Sequence, residues 1–359
     1  MVFGATGVVG LTAARHFAGR GDVEVVGVSR RPSGLTGVTD VSVDLADETG
    51  SAQVLRSDAF RGVTHVVYAA LQESEDLVAG WRDPELMDHN LRMFLNAIRP
   101  LAAVHNATLR HVSLLQGAKA YGLHLGRTPL PAKERQGRVP HENFYFLQED
   151  ALRELAEAGD WSWTILRPQV VYGESVGSPM NLLPAIGVYA ALERARGRPL
   201  VFPGGPPAVQ EGVDARLLAR ALEWAATSAE AVDGTFNVTN GDVFCWQDIW
   251  PVLAAVFGME TGDPQPSLLA EVMPGRAREW ASTVDRYRLR APRDMGRFVG
   301  ASWTYADLLF GTLRSRPRPA MLSTVKIRRA GFADCLDSED MFVDWFRQLQ
   351  DRRLLPPPD

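Results

Sequence analysis

The sequence contains few cysteines and few lysines, and it lacks any long apolar run. Its two cysteines, Cys245 and Cys335, are too few for a disulfide framework and are typical of reduced thiols in a cytosolic protein. No stretch of about 18 apolar residues occurs, and no charged segment followed by a cleavable apolar one precedes the first structural motif. We therefore expect a cytoplasmic protein that has no membrane partner.

Charge and histidine spacing argue against two further classes of protein. The 359 residues carry 38 basic and 43 acidic side chains, and no stripe of arginine and lysine stands out, so we expect no nucleic-acid partner. The seven histidines are scattered, without a His-x-x-x-His pair or a His/Cys cluster at ligand spacing, and the sequence predicts no metal site. Together these absences favour a small molecule as the partner.

The scarcity of lysine makes each lysine informative. Only Lys119, Lys133 and Lys326 are lysines, and every other basic residue is an arginine. A chain that places arginine wherever a generic positive charge is tolerated has some reason for each lysine that it keeps, because an ammonium and a guanidinium are not interchangeable. Bias in the coding genome is the simpler explanation for the excess of arginine.

Short apolar runs alternate with segments of helical spacing in the first part of the chain. The runs lie at residues 23–28, 41–43, 63–68, 109–115 and 163–166, with helical patterns at 11–20, 84–104 and 146–158 between them. This order predicts an α/β fold, a Rossmann-type doubly wound parallel sheet with a smaller, mostly helical C-terminal substrate lobe. We place a cofactor-binding domain at residues 1–170 and a substrate-binding lobe at 171–359, with elements that return to the sheet near 234–238.

Three glycines follow the first short strand at a spacing typical of dinucleotide-binding turns. In Gly4-x-x-Gly7-x-x-Gly10 the glycines permit a tight turn, close approach of a pyrophosphate and close packing of the next helix, whose N-terminus would meet the phosphate. The pattern alone is weak, but it lies between a strand and a helix, where it is expected. The predicted cofactor contacts in this turn, with one after the fourth strand, are Gly4, Thr6, Gly7, Val8, Val9, Gly10 and Ala69.

Arginines stand at the end of the second strand, where NAD-binding proteins of this fold carry an acidic residue for the ribose hydroxyl. The segment here is Ser29-Arg30-Arg31, and two guanidiniums suit the 2′-phosphate of NADPH. Surface arginines are the alternative explanation. Asp44 and Leu45, after the third strand, are placed to contact the adenine ring, although a solvated turn aspartate fits the pattern nearly as well.

The glycine spacing, strand pattern and length resemble the extended short-chain dehydrogenase/reductases. Those enzymes carry a catalytic Tyr-x-x-x-Lys, which is absent from this chain. Instead, Lys119 follows a buried strand in Gly117-Ala118-Lys119-Ala120-Tyr121, and Asn143-Phe144-Tyr145 opens the helix that normally holds the tyrosine. This combination resembles the progesterone 5β-reductase and iridoid synthase-like reductases, although Ala120 and Phe146 depart from that pattern. The resemblance implies that Lys119 and Tyr145 are the catalytic pair and that both contact the cofactor.

The same resemblance extends to later segments of the chain. It implies that the loops holding Pro168, Val171, Ser178 and Met180 lie beside the nicotinamide, and it permits a homodimer. Tyr121 could assist the pair but fits a packing role better. Trp81, Met180 and Phe342 either line an apolar pocket or belong to the core.

The activity implied is NADPH-dependent reduction of the activated C=C bond in a small apolar α,β-unsaturated carbonyl compound. Hydride would add at the β-carbon, Tyr145 would stabilise the oxyanion, and Lys119 would lower the tyrosine pKa. Carbonyl reduction by the same pair is the nearest alternative. A non-catalytic NADP(H)-sensing protein and a sugar-nucleotide epimerase or dehydratase are the others, each less compatible with the residues above.

Overall fold

The computed structural model describes residues 1–105, 107–126, 128–312 and 319–358. Eleven strands occur in these ranges, and several are only two or three residues long. They are β1 (Val2–Phe3), β2 (Val25–Ser29), β3 (Val38–Ser42), β4 (His65–Tyr68), β5 (His111–Leu115), β6 (Ser162–Pro168), β7 (Val170–Tyr172), β8 (Leu200–Val201), β9 (Gly212–Asp214), β10 (Gly234–Val238) and β11 (Thr261–Gly262).

Fourteen α-helices occur in the same ranges. They are α1 (Val8–Ala18), α2 (Glu48–Leu55), α3 (Leu77–Gly80), α4 (Pro84–His105), α5 (Phe144–Glu157), α6 (Leu182–Ala195), α7 (Ala215–Thr227), α8 (Trp246–Val256), α9 (Leu269–Val272), α10 (Ala277–Tyr287), α11 (Met295–Val299), α12 (Ser302–Phe310), α13 (Val325–Arg329) and α14 (Ser338–Asp351). Within the described ranges, no helix is long and apolar enough to cross a membrane.

Seven strands form one parallel sheet in the order β10-β6-β5-β4-β1-β2-β3. The strand β1 lies in the middle, with Val2 opposite Gly27 on one side and Val67 on the other. Chain order runs outward in both directions from β1, so the loops after β1 and β4 diverge and leave a crevice at the carboxyl edge of the sheet. The predicted doubly wound fold is therefore confirmed.

The apolar runs of the sequence form the buried centre of this sheet. Phe3, Val66, Leu114 and Ile165, from four neighbouring strands, are each almost fully buried in one core cluster. Parallel strands covered by helices on both faces read as continuous apolar runs, which is why the pattern located them. The edge strand β3 is half exposed instead, so only part of it appeared in that pattern.

The chain divides into two compact units. The first comprises Met1–Val170, Ala215–Thr239 and Met321–Asp334, and it contains the whole parallel sheet. The second comprises Val171–Asp214, Asn240–Ala320 and Cys335–Asp359 and is mostly helical, around a core in which Trp246 contacts Phe310 and Phe342. The helical C-terminal region expected from the sequence is thus present, with β10 returning to the sheet beside β6.

Candidate active site

The glycine turn after β1 is packed so closely that two of its glycines have no room for a side chain. Gly4 has a φ of +77°, and a Cβ there would lie 2.7 Å from the Ala69 carbonyl oxygen. A Cβ on Gly10 would lie 2.1 Å from the Gly4 carbonyl oxygen, whereas one on Gly7 would meet that oxygen only at 3.4 Å. Gly4 and Gly10 are therefore required by packing, and Gly7 leaves space at the start of α1.

That space suits an anionic group. Gly7 is the N-cap of α1 and has no side chain to accept from the first-turn N–H groups, which begin at Val8 and Val9. A helix N-terminus of this kind favours a phosphate through its dipole and its backbone donors. Thr6 is half-buried in the same turn, and the Ala69 main-chain N–H donates to the Phe3 carbonyl at 3.1 Å. The turn therefore has the geometry and the backbone donors that suit the pyrophosphate of a dinucleotide.

At the end of β2, Arg30 and Arg31 are exposed and neither makes an ion pair with any described residue. Two serine hydroxyls donate hydrogen bonds to the main-chain carbonyls of these arginines. Ser29 Oγ donates to the Arg31 carbonyl at 2.5 Å, and Ser42 Oγ donates to the Arg30 carbonyl at 3.3 Å. Both guanidiniums are thus available to an anion at this edge.

The acidic side chains near that edge accept hydrogen bonds from main-chain N–H groups. Both carboxylate oxygens of Asp40 accept main-chain N–H groups, from Ser33 at 2.8 Å and Gly34 at 3.2 Å. Asp44 is exposed and accepts from Ala46 N, and the Leu45 side chain is buried in the core cluster. Asp40 therefore stabilises the turn after β2 by accepting its main-chain N–H groups. The guanidiniums of Arg30 and Arg31 are exposed to solvent at the same edge.

Lys119 lies on a 3-10 turn, Ala118–Tyr121, directly after β5. Its Nζ donates to Glu73 Oε1 at 3.3 Å and lies 4.5 Å from the centroid of the Trp81 ring. The same ammonium is 6.0 Å from the centroid of the Tyr145 ring. The structure therefore brings together the two side chains that the resemblance paired; their catalytic role stays a prediction.

Asn143 connects the backbones of this pair. It is the N-cap of α5, where its Oδ1 accepts from the Tyr145 main-chain N–H at 3.0 Å. Its Nδ2 donates to the Lys119 carbonyl at 3.1 Å. A single buried amide thus fixes the start of the tyrosine helix against the lysine turn, because an N-cap side chain satisfies one donor that the helix leaves open.

The tyrosine itself is buried but its hydroxyl faces a glycine. Tyr145 is 7% exposed, and a Cβ added to Gly117 would lie 3.3 Å from the tyrosine hydroxyl oxygen. A Cβ at that distance would be a tight contact, so glycine at position 117 lets the tyrosine hydroxyl lie close to the turn after β5.

Burial and charge act in opposite directions on Lys119. Burial lowers the pKa of its ammonium, and the Glu73 carboxylate offsets part of that effect. The nearby His124 has a pKa lowered to about 4 by burial, with smaller contributions from His141, Lys119 and Arg82. His124 is therefore neutral near pH 7 and adds no second positive charge beside the lysine.

A buried polar network supports the start of α5 from behind. The Arg167 Nε donates to Gln116 Oε1 at 2.8 Å, and its Nη2 donates to Glu149 at 3.1 Å. Gln116 Nε2 in turn donates to the Tyr145 carbonyl at 2.9 Å. These residues, together with Glu73 and Asn143, were missed as functional candidates because their partners are distant in the chain and form no local motif.

Other predicted residues lie elsewhere or serve packing. Tyr121 is buried and its hydroxyl donates to Asn237 at 2.7 Å, which is the packing role expected of it. Pro168 ends β6 in the first unit. Val171, Ser178, Met180 and Phe342 belong to the second unit, and Phe342 is part of the aromatic core there. The first three remain predicted cofactor contacts.

The architecture and the glycine turn define a nucleotide-binding enzyme class. The profile of the NAD dependent epimerase/dehydratase family matches residues 1–239, and the chain belongs to that family. Solved structures agree with this fold. UDP-glucose 4-epimerase of Thermus thermophilus, complexed with NAD, superposes with a TM-score of 0.65 at 20% identity, covering 96% of this chain and 98% of that one. The chain is therefore an enzyme of the extended short-chain dehydrogenase/reductase superfamily.

Sequence relatives narrow the group further. The chain is 31% identical to the (S)-8-oxocitronellyl enol synthase of Antirrhinum majus and 31% identical to the 3-oxo-Delta(4,5)-steroid 5-beta-reductase of Arabidopsis thaliana. Each alignment covers 99% of this chain and 92% of the relative. The resemblance to the progesterone 5β-reductase and iridoid synthase-like group is confirmed.

Proposed function

We propose that this protein is an NADPH-dependent reductase of the activated C=C bond of small α,β-unsaturated carbonyl compounds. The observation that carries the proposal is the Lys119 ammonium beside the buried Tyr145 ring at the carboxyl edge of the sheet, with the tyrosine hydroxyl next to Gly117. The name of the Arabidopsis thaliana relative, a 3-oxo-Delta(4,5)-steroid 5-beta-reductase, describes reduction of a conjugated ketone. That chemistry suits a site built around a hydrogen-bond donor for an oxyanion.

The cofactor assignment rests on the turn after β1 and the arginines after β2. The space at Gly7 and the start of α1 would hold the pyrophosphate. Arg30 and Arg31 would bind a 2′-phosphate through charge-assisted hydrogen bonds, which NADH could not form. Bound NADPH would supply the hydride.

Tyr145 acts on the carbonyl oxygen of the substrate. As hydride adds at the β-carbon, negative charge collects on that oxygen, and the phenol donates a hydrogen bond to it. A donor fixed in a buried site is effective because no water has to reorganise when the charge develops. The α-carbon then takes a proton from solvent, which completes the saturated product.

Lys119 supports this step electrostatically. Its ammonium lies 6.0 Å from the tyrosine ring centroid and places a positive charge near the developing oxyanion. The charge also favours the ionised form of the phenol, which strengthens the hydrogen bond that the phenol donates. Asn143 keeps both backbones in register throughout.

The test is to incubate the purified protein with NADPH and 2-cyclohexen-1-one and to identify the product by chromatography and mass spectrometry. We expect the saturated ketone. Tyr145→Phe should lower turnover by on the order of 10²- to 10³-fold, the usual cost of removing one oxyanion donor, with NADPH affinity within a few fold of wild type. Lys119→Met should impair both turnover and NADPH binding.

The matched control is Tyr287→Phe, which removes a phenol hydroxyl in the second unit and should leave turnover unchanged. Full turnover by Tyr145→Phe would refute the mechanism. An allylic alcohol as product would assign the hydride to the carbonyl carbon and favour carbonyl reduction. No product from a wild-type protein that binds NADPH would count against enone reduction.

A further inference from the structure

The loop after β4 carries a buried carboxylate that the catalytic proposal does not use. Gln72, in that loop, is held by Asn90 of α4. The Gln72 main-chain N–H donates to Asn90 Oδ1 at 2.9 Å, and Asn90 Nδ2 donates to the Gln72 carbonyl at 3.0 Å. The Asn90 carbonyl also accepts from Gln148 of α5 at 3.0 Å. The next residue, Glu73, is therefore held in place by contacts that do not involve Lys119.

Glu73 forms an ion pair with Lys119 in a largely dry environment. The carboxylate and the ammonium are 3.3 Å apart, and the two side chains are 4% and 15% exposed. Trp81 covers the ammonium from another side at 4.5 Å. A charge buried to this degree needs a partner, because an unpaired buried ion loses its hydration without compensation.

We propose that Glu73 is the positioning residue of this site: its carboxylate keeps the Lys119 ammonium charged and holds it beside Tyr145. The catalytic consequence rests on the proposed function, whereas the ion pair itself does not. No motif in the sequence singles out Glu73, which is one of three acidic residues within four positions of the loop.

Among the residues that the structure describes, Glu73 supplies the negative charge that acts on the Lys119 ammonium. Tyr145 approaches from α5, with its ring centroid 6.0 Å from the ammonium. His124 is on the following 3-10 turn, with a pKa lowered to about 4 by burial and, less, by His141, Lys119 and Arg82. Burial lowers the pKa of Lys119 and Glu73 raises it. Loss of the Glu73 charge should therefore release the lysine proton at lower pH.

The scarcity of lysine permits a direct measurement. The full chain, labelled with ¹³C and ¹⁵N only at lysine, should show three side-chain signals by NMR, and Lys119 is assigned by its absence in Lys119→Met. In Glu73→Gln we expect the Lys119 signal to titrate at a pH lower by at least about one unit, the smallest effect usual for an opposite charge at this distance. The basic limb of the pH–rate profile should move in the same direction, with partial recovery of turnover at low pH.

Glu75→Gln is the matched control, since it removes the same charge from an exposed position two residues along the loop. It should leave both the titration and the pH profile unchanged. Glu73→Asp keeps the charge on a shorter side chain and should restore most of the titration midpoint. The signals of Lys133 and Lys326 report whether each variant is folded.

Either of two titration results would overturn the proposal: an unchanged Lys119 titration in Glu73→Gln, or an equal shift in Glu75→Gln. If Glu73→Gln does not fold, the double variant Glu73→Gln/Lys119→Met should fold, because it removes both charges. A double variant as unstable as the single one would refute the pairing. A shifted titration in a protein that reduces no enone would retain the ion pair and reject the proposed activity.

Discussion

Replacing Gly10 by alanine should destabilise the protein although alanine is the better helix former. Gly10 is the third residue of α1, where alanine is favoured by about 1 kcal/mol over glycine. The new Cβ would lie 2.1 Å from the Gly4 carbonyl oxygen and 2.6 Å from its carbonyl carbon. Both are backbone atoms, so neither can rotate away.

The size of the stability loss follows from how far the new Cβ and the Gly4 carbonyl group must move apart. An ordinary contact begins near 3.4 Å, so α1 and the turn have to separate by more than about 1 Å. Overpacking of this kind costs about 3 kcal/mol at the upper end of its usual range. Subtracting the gain in helix propensity leaves a net loss of about 2 kcal/mol. At about 2–4 °C per kcal/mol, the Tm should fall by about 4–8 °C.

Thermal unfolding of the full chain, followed by fluorescence and circular dichroism, tests this value. The control is Gly275→Ala, where an added Cβ meets no atom within 4 Å and the Tm should stay within about 1 °C of wild type. Gly7→Ala separates packing from ligand binding, because its Cβ meets only the Gly4 oxygen at 3.4 Å. The Tm of Gly7→Ala should stay close to that of wild type, and its affinity for NADPH should fall. A Gly10→Ala variant as stable as wild type would refute the packing argument.

Two further predictions concern the cofactor and the pH dependence of stability. Arg30→Ala/Arg31→Ala should weaken NADPH binding by on the order of 10²- to 10⁴-fold in titration calorimetry and leave NADH within a few fold, since charged hydrogen bonds contribute about 1.5–3 kcal/mol each. Arg56→Ala/Arg61→Ala, also exposed, should change neither, and equal losses of both cofactors would contradict the assignment. Burial lowers the pKa of His111 to about 4, so the unfolded chain binds the proton first as the pH falls. Denaturant unfolding should show stability falling from about pH 6.5 toward pH 4, by up to about 3 kcal/mol, and an unchanged slope in His111→Asn would exclude that histidine as the cause.

Periodic patterns located most of the sheet because they report local geometry. Predicted runs at residues 63–68, 109–115 and 163–166 correspond to β4, β5 and β6, and the expected return at 234–238 is β10 itself. The strands β4, β5 and β6 lie inside the sheet, where parallel strands buried on both faces read mainly as apolar runs. The predicted first and last residues of the strands were less accurate, since strand termini depend on hydrogen-bonding partners elsewhere in the chain.

Motif and resemblance likewise identified the residues that act through local spacing. The glycines of the first turn are three residues apart because one turn and one helix start require them. Lys119 was conspicuous as a rare lysine after a buried strand, and Tyr145 follows the asparagine that caps its helix. These signals need no knowledge of which strands are neighbours.

The partners of those residues were decided by the order of strands in the sheet. Because β4, β5 and β6 are adjacent, the loop after β4, the turn after β5 and the helix before β6 meet at one edge. That adjacency places Glu73 against Lys119 and joins Gln116 to Arg167 and to the Tyr145 backbone. The sequence by itself determined the fold class, the glycine turn and the candidate pair. Only the tertiary structure decided which buried charge faces which, because a contact between distant segments leaves no period or spacing in the chain.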